Sequence, residues 1–225
     1  MTATRPQDDQ ENDSMTAPER LMKISRDIAV LSEGVNIIAV SKTFSSESIK
    51  PVLSAGHRIF GENRVQEAAE KWPDLKKSYP DTELHLIGAL QSNKAAQAVA
   101  IFDVIHSLDR IKLARGLAEE MKRQDRRLKI LVQVNTGEED QKSGISPEET
   151  VEFVSTCRAE LGLNIVGLMC IPPNDNNSKY YFEEMIKIKN NINSNLKLSM
   201  GMSQDYSQAL LCGSNLIRVG SKIFS

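Results

Sequence analysis

Lys42 ends a short apolar run, Ile37-Ile38-Ala39-Val40-Ser41, and a helix-like stretch opens just after it at about Ser45. A lysine so placed has its stem along the core and its amine at the rim of the fold. Partial loss of water around an amine favours the neutral, nucleophilic form, which attacks a carbonyl to give a Schiff base. A lysine at a strand end is more often merely solvated, so its company decides the matter. That company lies at the far end of the chain. Ser199-Met200-Gly201-Met202-Ser203-Gln204-Asp205 and Ile217-Arg218-Val219-Gly220-Ser221 are two Gly- and Ser-containing turns with an arginine. Hydroxyls and unpaired N–H groups at the start of a helix suit an anion such as a phosphate. Gly201 permits close backbone approach, and Asp205 falls where it favours a helix dipole. Arg218 either points inward as a guanidinium donor or closes an internal salt bridge.

Other polar groups fall near the ends of apolar runs. Asn63, in Gly61-Glu62-Asn63, can hydrogen-bond a ligand or cap the next helix. Asn135 and the polar loop Gln91-Ser92-Asn93-Lys94 are placed in the same way, with helix capping as the plain alternative for the loop. Lys142-Ser143-Gly144 adds positive charge, although a solvated loop lysine is the simpler account. Met169 can lie against a flat ring or fill core space. His85 falls near the start of its strand and reads as a structural histidine. No Ser/His/Asp order stands out, and no His/Asp/Glu cluster has the spacing of metal ligands.

The elements that must position these groups alternate. Leu21, Ile24, Ile28 and Leu31 recur at helical spacing. Strands are expected at residues 36–41, 58–61, 83–88, 103–107, 129–135, 164–171, 196–200 and 216–219, with helical stretches between them. Ser45-Ser46-Glu47-Ser48 and Ser146-Pro147-Glu148-Glu149 look like helix starts, and Gly56 and Gly213 like helix ends. Runs such as Ile130-Leu131-Val132 are apolar on consecutive residues, which suits a parallel sheet covered on both faces. Eight βα units mean a (β/α)8 barrel or a doubly wound open sheet. The count of eight, and the lack of GxGxxG after the first strand, favour the α/β TIM barrel. Its chemistry would gather at the C-terminal ends of the strands, and phosphate sites there often use the loops after strands seven and eight.

The 225 residues carry 28 Lys+Arg against 30 Asp+Glu, a balance that gives no electrostatic case for nucleic acid or an anionic membrane. No apolar run approaches the roughly 20 residues that span a bilayer. Cys157, Cys170 and Cys212 are scattered and read as reduced thiols, so the expected location is the cytoplasm. Residues 1–15 are polar and acidic, without the apolar segment of a signal peptide, and are expected to be a disordered tail. Met15 is an alternative start, and residues 16–225 are expected to form one domain.

Together these stretches resemble the YggS/PROSC family of pyridoxal-phosphate-binding homeostasis proteins. The resemblance runs from about Val35 to Phe224. It rests on AVSK ending in Lys42, FGEN ending in Asn63, HLIGALQSNK ending in Lys94, KSG at 142–144, GLM ending in Met169, SMGMSQD ending in Asp205 and IRVGSKIF ending in Phe224. It implies a barrel like the N-terminal domain of bacterial alanine racemase, the fold type III of pyridoxal-phosphate proteins. It implies that Lys42 forms the internal aldimine and that Ser203, Gly220 and Ser221 hold the phosphate. Arg218 would face the pyridine nitrogen, with Asn63 and Met169 near the ring. The family usually has threonine where Ser221 stands, and serine keeps the hydroxyl. It also usually continues past the last strand with a glycine and a short tail, where this chain stops at Ser225.

An always-charged arginine at the ring nitrogen disfavours its protonation and weakens the ring as an electron sink. Alanine racemase adds a catalytic tyrosine from a second domain, and the barrel here consumes the chain. The expected function is therefore binding, storage and delivery of pyridoxal 5′-phosphate in vitamin B6 and amino-acid homeostasis, without robust catalysis. The expected partners are the cofactor and pyridoxal-phosphate-dependent apo-enzymes, and the resemblance implies a monomer. The alternatives are a pyridoxal-phosphate-dependent amino-acid racemase using Lys42 and another site residue as bases, and a cofactor-free Schiff-base aldolase.

Overall fold

Eight apolar runs become eight parallel strands that close on themselves. The structure is a computed structural model that describes residues 14–225. Most of the tail expected over residues 1–15 therefore lies outside the described residues. After α1 (Ala17–Leu31), strands and helices alternate. They run β1 (Asn36–Val40), α2 (Ser46–Ser54), β2 (Ile59–Glu62), α3 (Val65–Ser78), β3 (Glu83–Leu86), a 3-10 turn (Ser92–Lys94) and α4 (Ala95–Ile101). Then come β4 (Val104–Leu108), α5 (Ile111–Arg123), β5 (Lys129–Val134), α6 (Thr150–Ala159), β6 (Ile165–Cys170) and α7 (Ser178–Ile192). The chain finishes with β7 (Lys197–Met202), α8 (Tyr206–Leu211), β8 (Leu216–Val219) and α9 (Ser221–Phe224). Each strand pairs with the next, and β8 returns to β1 with Ile38 opposite Arg218 and Ala39 opposite Val219.

Local chemistry explains where the helices begin and end. Ser45 caps α2, its Oγ accepting from the N–H of Ser48 at 3.3 Å. Gly56 and Gly213 follow α2 and α8 with φ of +97° and +77°, the left-handed conformation that ends helices. The Ser146 cap also forms, its Oγ accepting from the N–H of Glu149 at 3.3 Å. Residues 147–149 remain a turn, however, and α6 begins only at Thr150, three residues later than the proline signal implies.

The core has two parts. The large one lies between strands and helices and holds Phe60, Trp72, Phe102 and Phe182, all fully buried. Complete burial of such side chains contributes about 1.5–3 kcal/mol each. The smaller part fills the barrel itself with Ile38, Val104, Leu131, Met169 and Leu216. The barrel interior is not wholly apolar. His85, His106, Ser199 and Arg218 are buried as well, and hydrogen bonds join them into one connected series.

Candidate functional site

The turn between β1 and α2 carries Lys42, and it is pinned from below. Thr43 takes a left-handed φ of 66°, and its N–H donates to Glu67 on α3. Lys71 Nζ, also on α3, donates to the carbonyls of Ser41 at 2.9 Å and Phe44 at 3.1 Å. The same amine pairs with Glu62 Oε1 at 2.8 Å. Ser41 Oγ and Trp72 Nε1 donate to that oxygen too, at 2.7 and 3.0 Å. Glu62 is fully buried, and its other oxygen has no partner. Two carboxylates, Glu62 and Glu67, and the Lys71 amine thus hold both flanks of Lys42. Lys42 itself is exposed, and among the described residues its amine has no hydrogen-bond partner. The expectation of a partly desolvated amine is therefore corrected, because the turn lifts this side chain to the open rim.

The two late turns meet Lys42 at the same mouth. A cleft of about 700 Å³ is lined by Lys42, Asn63, Lys142, Ser203, Asp205, Arg218, Gly220 and Ser221, with Val40, Ile87 and Met202 as apolar wall. Gly220 is required by its neighbour, since a Cβ there would sit 3.0 Å from the Val40 carbonyl oxygen and 3.2 Å from Val40 Cβ. That close approach brings the end of β8 against the end of β1. Ser221 begins α9, so its N–H and that of Lys222 have no partner inside the helix. Asp205 Oδ1 accepts from the N–H of Met202 at 2.6 Å and shapes the turn that presents Ser203. Gly201 has a φ of +96° and lies where a Cβ would be 2.6 Å from Ala209.

Arg218 points inward and closes no salt bridge with a described carboxylate. Its Nη1 donates to the Ser199 carbonyl and to Ser199 Oγ, both at 2.8 Å, and its Nη2 to the Cys170 carbonyl at 2.8 Å. It is only 4% exposed. Burial lowers its pKa from the ordinary arginine value. Burial also pushes the Cys170 thiol up to about 12, which leaves it an inert core group.

Six of the seven residues expected at the cofactor, Lys42, Asn63, Ser203, Arg218, Gly220 and Ser221, share this cleft. Met169 does not line it and packs inside the barrel against Ile38, Val104, Leu131 and Leu216. Asn135 turns away to hold its own loop, donating to the Glu139 carbonyl at 3.0 Å. The 91–94 loop also lies outside the lining. Lys142 does reach the mouth, paired with Glu139 and 3.4 Å from the Pro172 carbonyl. Sequence reasoning missed Ile171, Pro172, Pro173 and Asn174, which form the wall after β6. A Pro-Pro pair directly after a strand was the available signal. A larger open groove of about 1020 Å³ lies near the start of β5, among Arg115, Lys122, Arg126 and Arg127. It is at the N-terminal ends of the strands, away from Lys42.

A closed parallel barrel with an amine, a buried guanidinium and two hydroxyl-bearing turns at one mouth defines an anion-holding α/β barrel equipped for carbonyl chemistry. The chain belongs to the alanine racemase N-terminal domain family, which matches residues 21–225, and within it to the pyridoxal phosphate homeostasis proteins. The Pyridoxal phosphate homeostasis protein of Vibrio alginolyticus is 37% identical over 201 residues, 85% of this chain and 86% of that one. PipY of Synechococcus elongatus PCC7942, solved without PLP, superposes with a TM-score of 0.85 at 35% identity, over 93% of this chain and all of that one. Its structure with PLP bound gives a TM-score of 0.82 at 33% identity with the same coverage. Alanine racemase of Clostridium difficile 630 shares the fold at 15% identity and a TM-score of 0.67, and this chain covers 56% of it.

Proposed function

We propose that this protein binds pyridoxal 5′-phosphate through a Schiff base to Lys42 and carries or buffers it in vitamin B6 and amino-acid homeostasis, without sustained turnover. The observation that carries this reading is the shared cleft. An exposed amine, two serine hydroxyls and a guanidinium converge there from both ends of the chain. The donor set fits the cofactor part by part. Ser203, Gly220 and Ser221 offer hydroxyl and backbone N–H donors to a phosphate, and Lys42 offers the amine to an aldehyde. Arg218 would face the ring nitrogen, and Asn63 would lie near the ring, as the family resemblance implies. When bound, the cofactor supplies a reactive aldehyde on an electron-withdrawing ring. The kinship with homeostasis proteins and the PLP-bound PipY structure support the assignment.

The cleft's own residues favour carriage over turnover. Its lining contains no Tyr, His or Cys. Asp205 is committed to the Met202 N–H, and Arg218 has no proton to give at neutral pH. A racemase needs proton-transferring groups on both faces of its substrate. Lys142, the one other amine among the described residues of the lining, is paired with Glu139. The racemase reading otherwise rests on the fold likeness. The rim position of Lys42 leaves the bound aldehyde open to competing amines, which suits delivery. The recipients in this reading are pyridoxal-phosphate-dependent apo-enzymes, met by a monomer in the cytoplasm. No helix of the described residues is long and apolar enough to cross a membrane.

The test is borohydride reduction of wild type and Lys42→Ala loaded with pyridoxal phosphate, followed by mass spectrometric mapping. A visible absorbance band and an adduct on Lys42, both lost in the variant, are expected. An adduct only at other lysines would refute the site. Sustained exchange of the amino-acid α-proton with deuterated solvent would favour the racemase.

A further inference from the structure

Arg218 is a buried cation without a carboxylate in contact, a costly arrangement unless its charge is answered elsewhere. The answer runs through the barrel. Ser199 Oγ, which accepts from Arg218, lies 3.0 Å from His106 Nδ1. His106 Nε2 lies 2.8 Å from His85 Nδ1, and His85 Nε2 lies 2.9 Å from Glu83 Oε1. Glu83 Oε2 then meets Lys129 Nζ at 2.5 Å, near the N-terminal rim. Ser199, His106 and His85 are buried, and the five links draw on β8, β7, β4, β3 and β5.

With both rings neutral, the direction of this series follows from its carboxylate end. A guanidinium only donates and an ionised carboxylate only accepts. Ionised Glu83 accepts from His85 Nε2–H, so neutral His85 can only accept at Nδ1. His106 must then carry its proton on Nε2 and give it to His85 Nδ1. His106 Nδ1 in turn accepts from the Ser199 hydroxyl, whose oxygen accepts from Arg218. A proton added to either ring turns the Ser199 hydroxyl from donor to acceptor at His106. Burial favours the neutral rings, since it holds His106 well below the usual histidine range and His85 below it also. The charged or titratable groups felt along the path are Glu83, Lys129 and Asp103 at the His85 end, and Asp205 and Cys170 around Arg218.

We propose that His106 is a positioning residue for the cofactor: it fixes the Ser199 hydroxyl and through it the Arg218 guanidinium, within a one-way relay that couples the Glu83–Lys129 pair at one rim to the ring nitrogen at the other. The relay rests on the reading that the cleft holds pyridoxal phosphate with Arg218 at that nitrogen. It makes His85 and His106 neutral Nε2–H tautomers by construction.

Two arms test it separately. The first uses wild-type protein without cofactor, in long-range proton–nitrogen NMR of the histidine rings between pH 5.5 and 8. Both rings should appear as neutral Nε2–H tautomers throughout. An Nδ1–H tautomer at His106, or a midpoint near 6.5, would overturn the relay whatever the cleft binds. The second arm compares His106→Leu, His106→Gln and Glu83→Gln after loading with pyridoxal phosphate. His106→Leu should still be reducible at Lys42, with affinity about tenfold weaker and the visible band shifted. His106→Gln, whose amide can both accept and donate, should restore most of both, and Glu83→Gln should shift the band in the same sense by less. An unchanged band and affinity in His106→Leu would sink the positioning role. Absence of any Lys42 adduct in wild type would instead sink the cofactor reading, and the first arm would still decide the relay.

Discussion

Glu83 shows how far one side chain's environment can move its chemistry. The hydrogen bond from His85, together with Lys129, holds its carboxyl at about 2, down from an ordinary 4.5. A depressed carboxylate stabilises the fold above its unfolded pKa, and that contribution is lost as pH falls toward the folded value. Wild type should therefore lose stability more steeply than Glu83→Gln between pH 4.5 and 2, by about 1–2 kcal/mol once solvent screening of this partly exposed group is counted. Urea titrations of both proteins across that range measure the difference, and parallel curves would refute the assignment. Lys42 teaches the complementary lesson. Its type and place were legible in Ile37-Ile38-Ala39-Val40-Ser41-Lys42, but its exposure was not. Exposure is set by how α3 anchors the turn, and α3 begins more than twenty residues downstream.

At the scale of elements, the β1–α2 turn depends on α3 through Lys71. Lys71 is 11% exposed and Glu62 not at all, so removing the amine leaves a buried carboxylate without its ion pair. Lys71→Ala should cost about 3–5 kcal/mol and lower the thermal midpoint by well over 5 °C. Calorimetry of the variant checks this, and a loss within about 0.5 kcal/mol, the range of an ordinary surface change, would show the pair to be idle. Glu62→Gln combined with Lys71→Met should recover part of the loss, because the uncompensated charge is gone. The strands themselves were readable because burial on both faces writes apolar residues consecutively, as in Ile130-Leu131-Val132. The polar series inside them was not. His85, His106, Ser199 and Arg218 stand 21, 93 and 19 positions apart, and only the closed sheet brings them together. His85, read as a structural histidine, is satisfied by hydrogen bonds at both ring nitrogens, but its partners come from different strands. Met169, which the sequence left open between a flat ring and the core, packs in the barrel interior, where the alternation of side chains along β6 turns it.

The whole molecule is a shell whose site is completed only when its first and last strands meet. Ligand that binds the folded chain alone must stabilise it by mass action. At a hundred times its dissociation constant, pyridoxal phosphate should add about 2.7 kcal/mol and raise the thermal midpoint by about 5–10 °C. Lys42→Ala should lose most of that gain while keeping its own fold. Scanning calorimetry with and without cofactor makes the comparison, and an equal gain in both proteins would place the binding elsewhere. The seam between β1 and β8 has one more consequence, and it concerns time. Synthesis runs from the N-terminus, and β1, with Ile38 awaiting Arg218 and Ala39 awaiting Val219, is made long before β8. For most of its growth on the ribosome the chain carries Lys42 without the Gly220-Ser221 turn beside it. On the reading proposed above, nascent chains lack the phosphate turn that completes the site, and only finished barrels enter the cell's count of vessels for the cofactor.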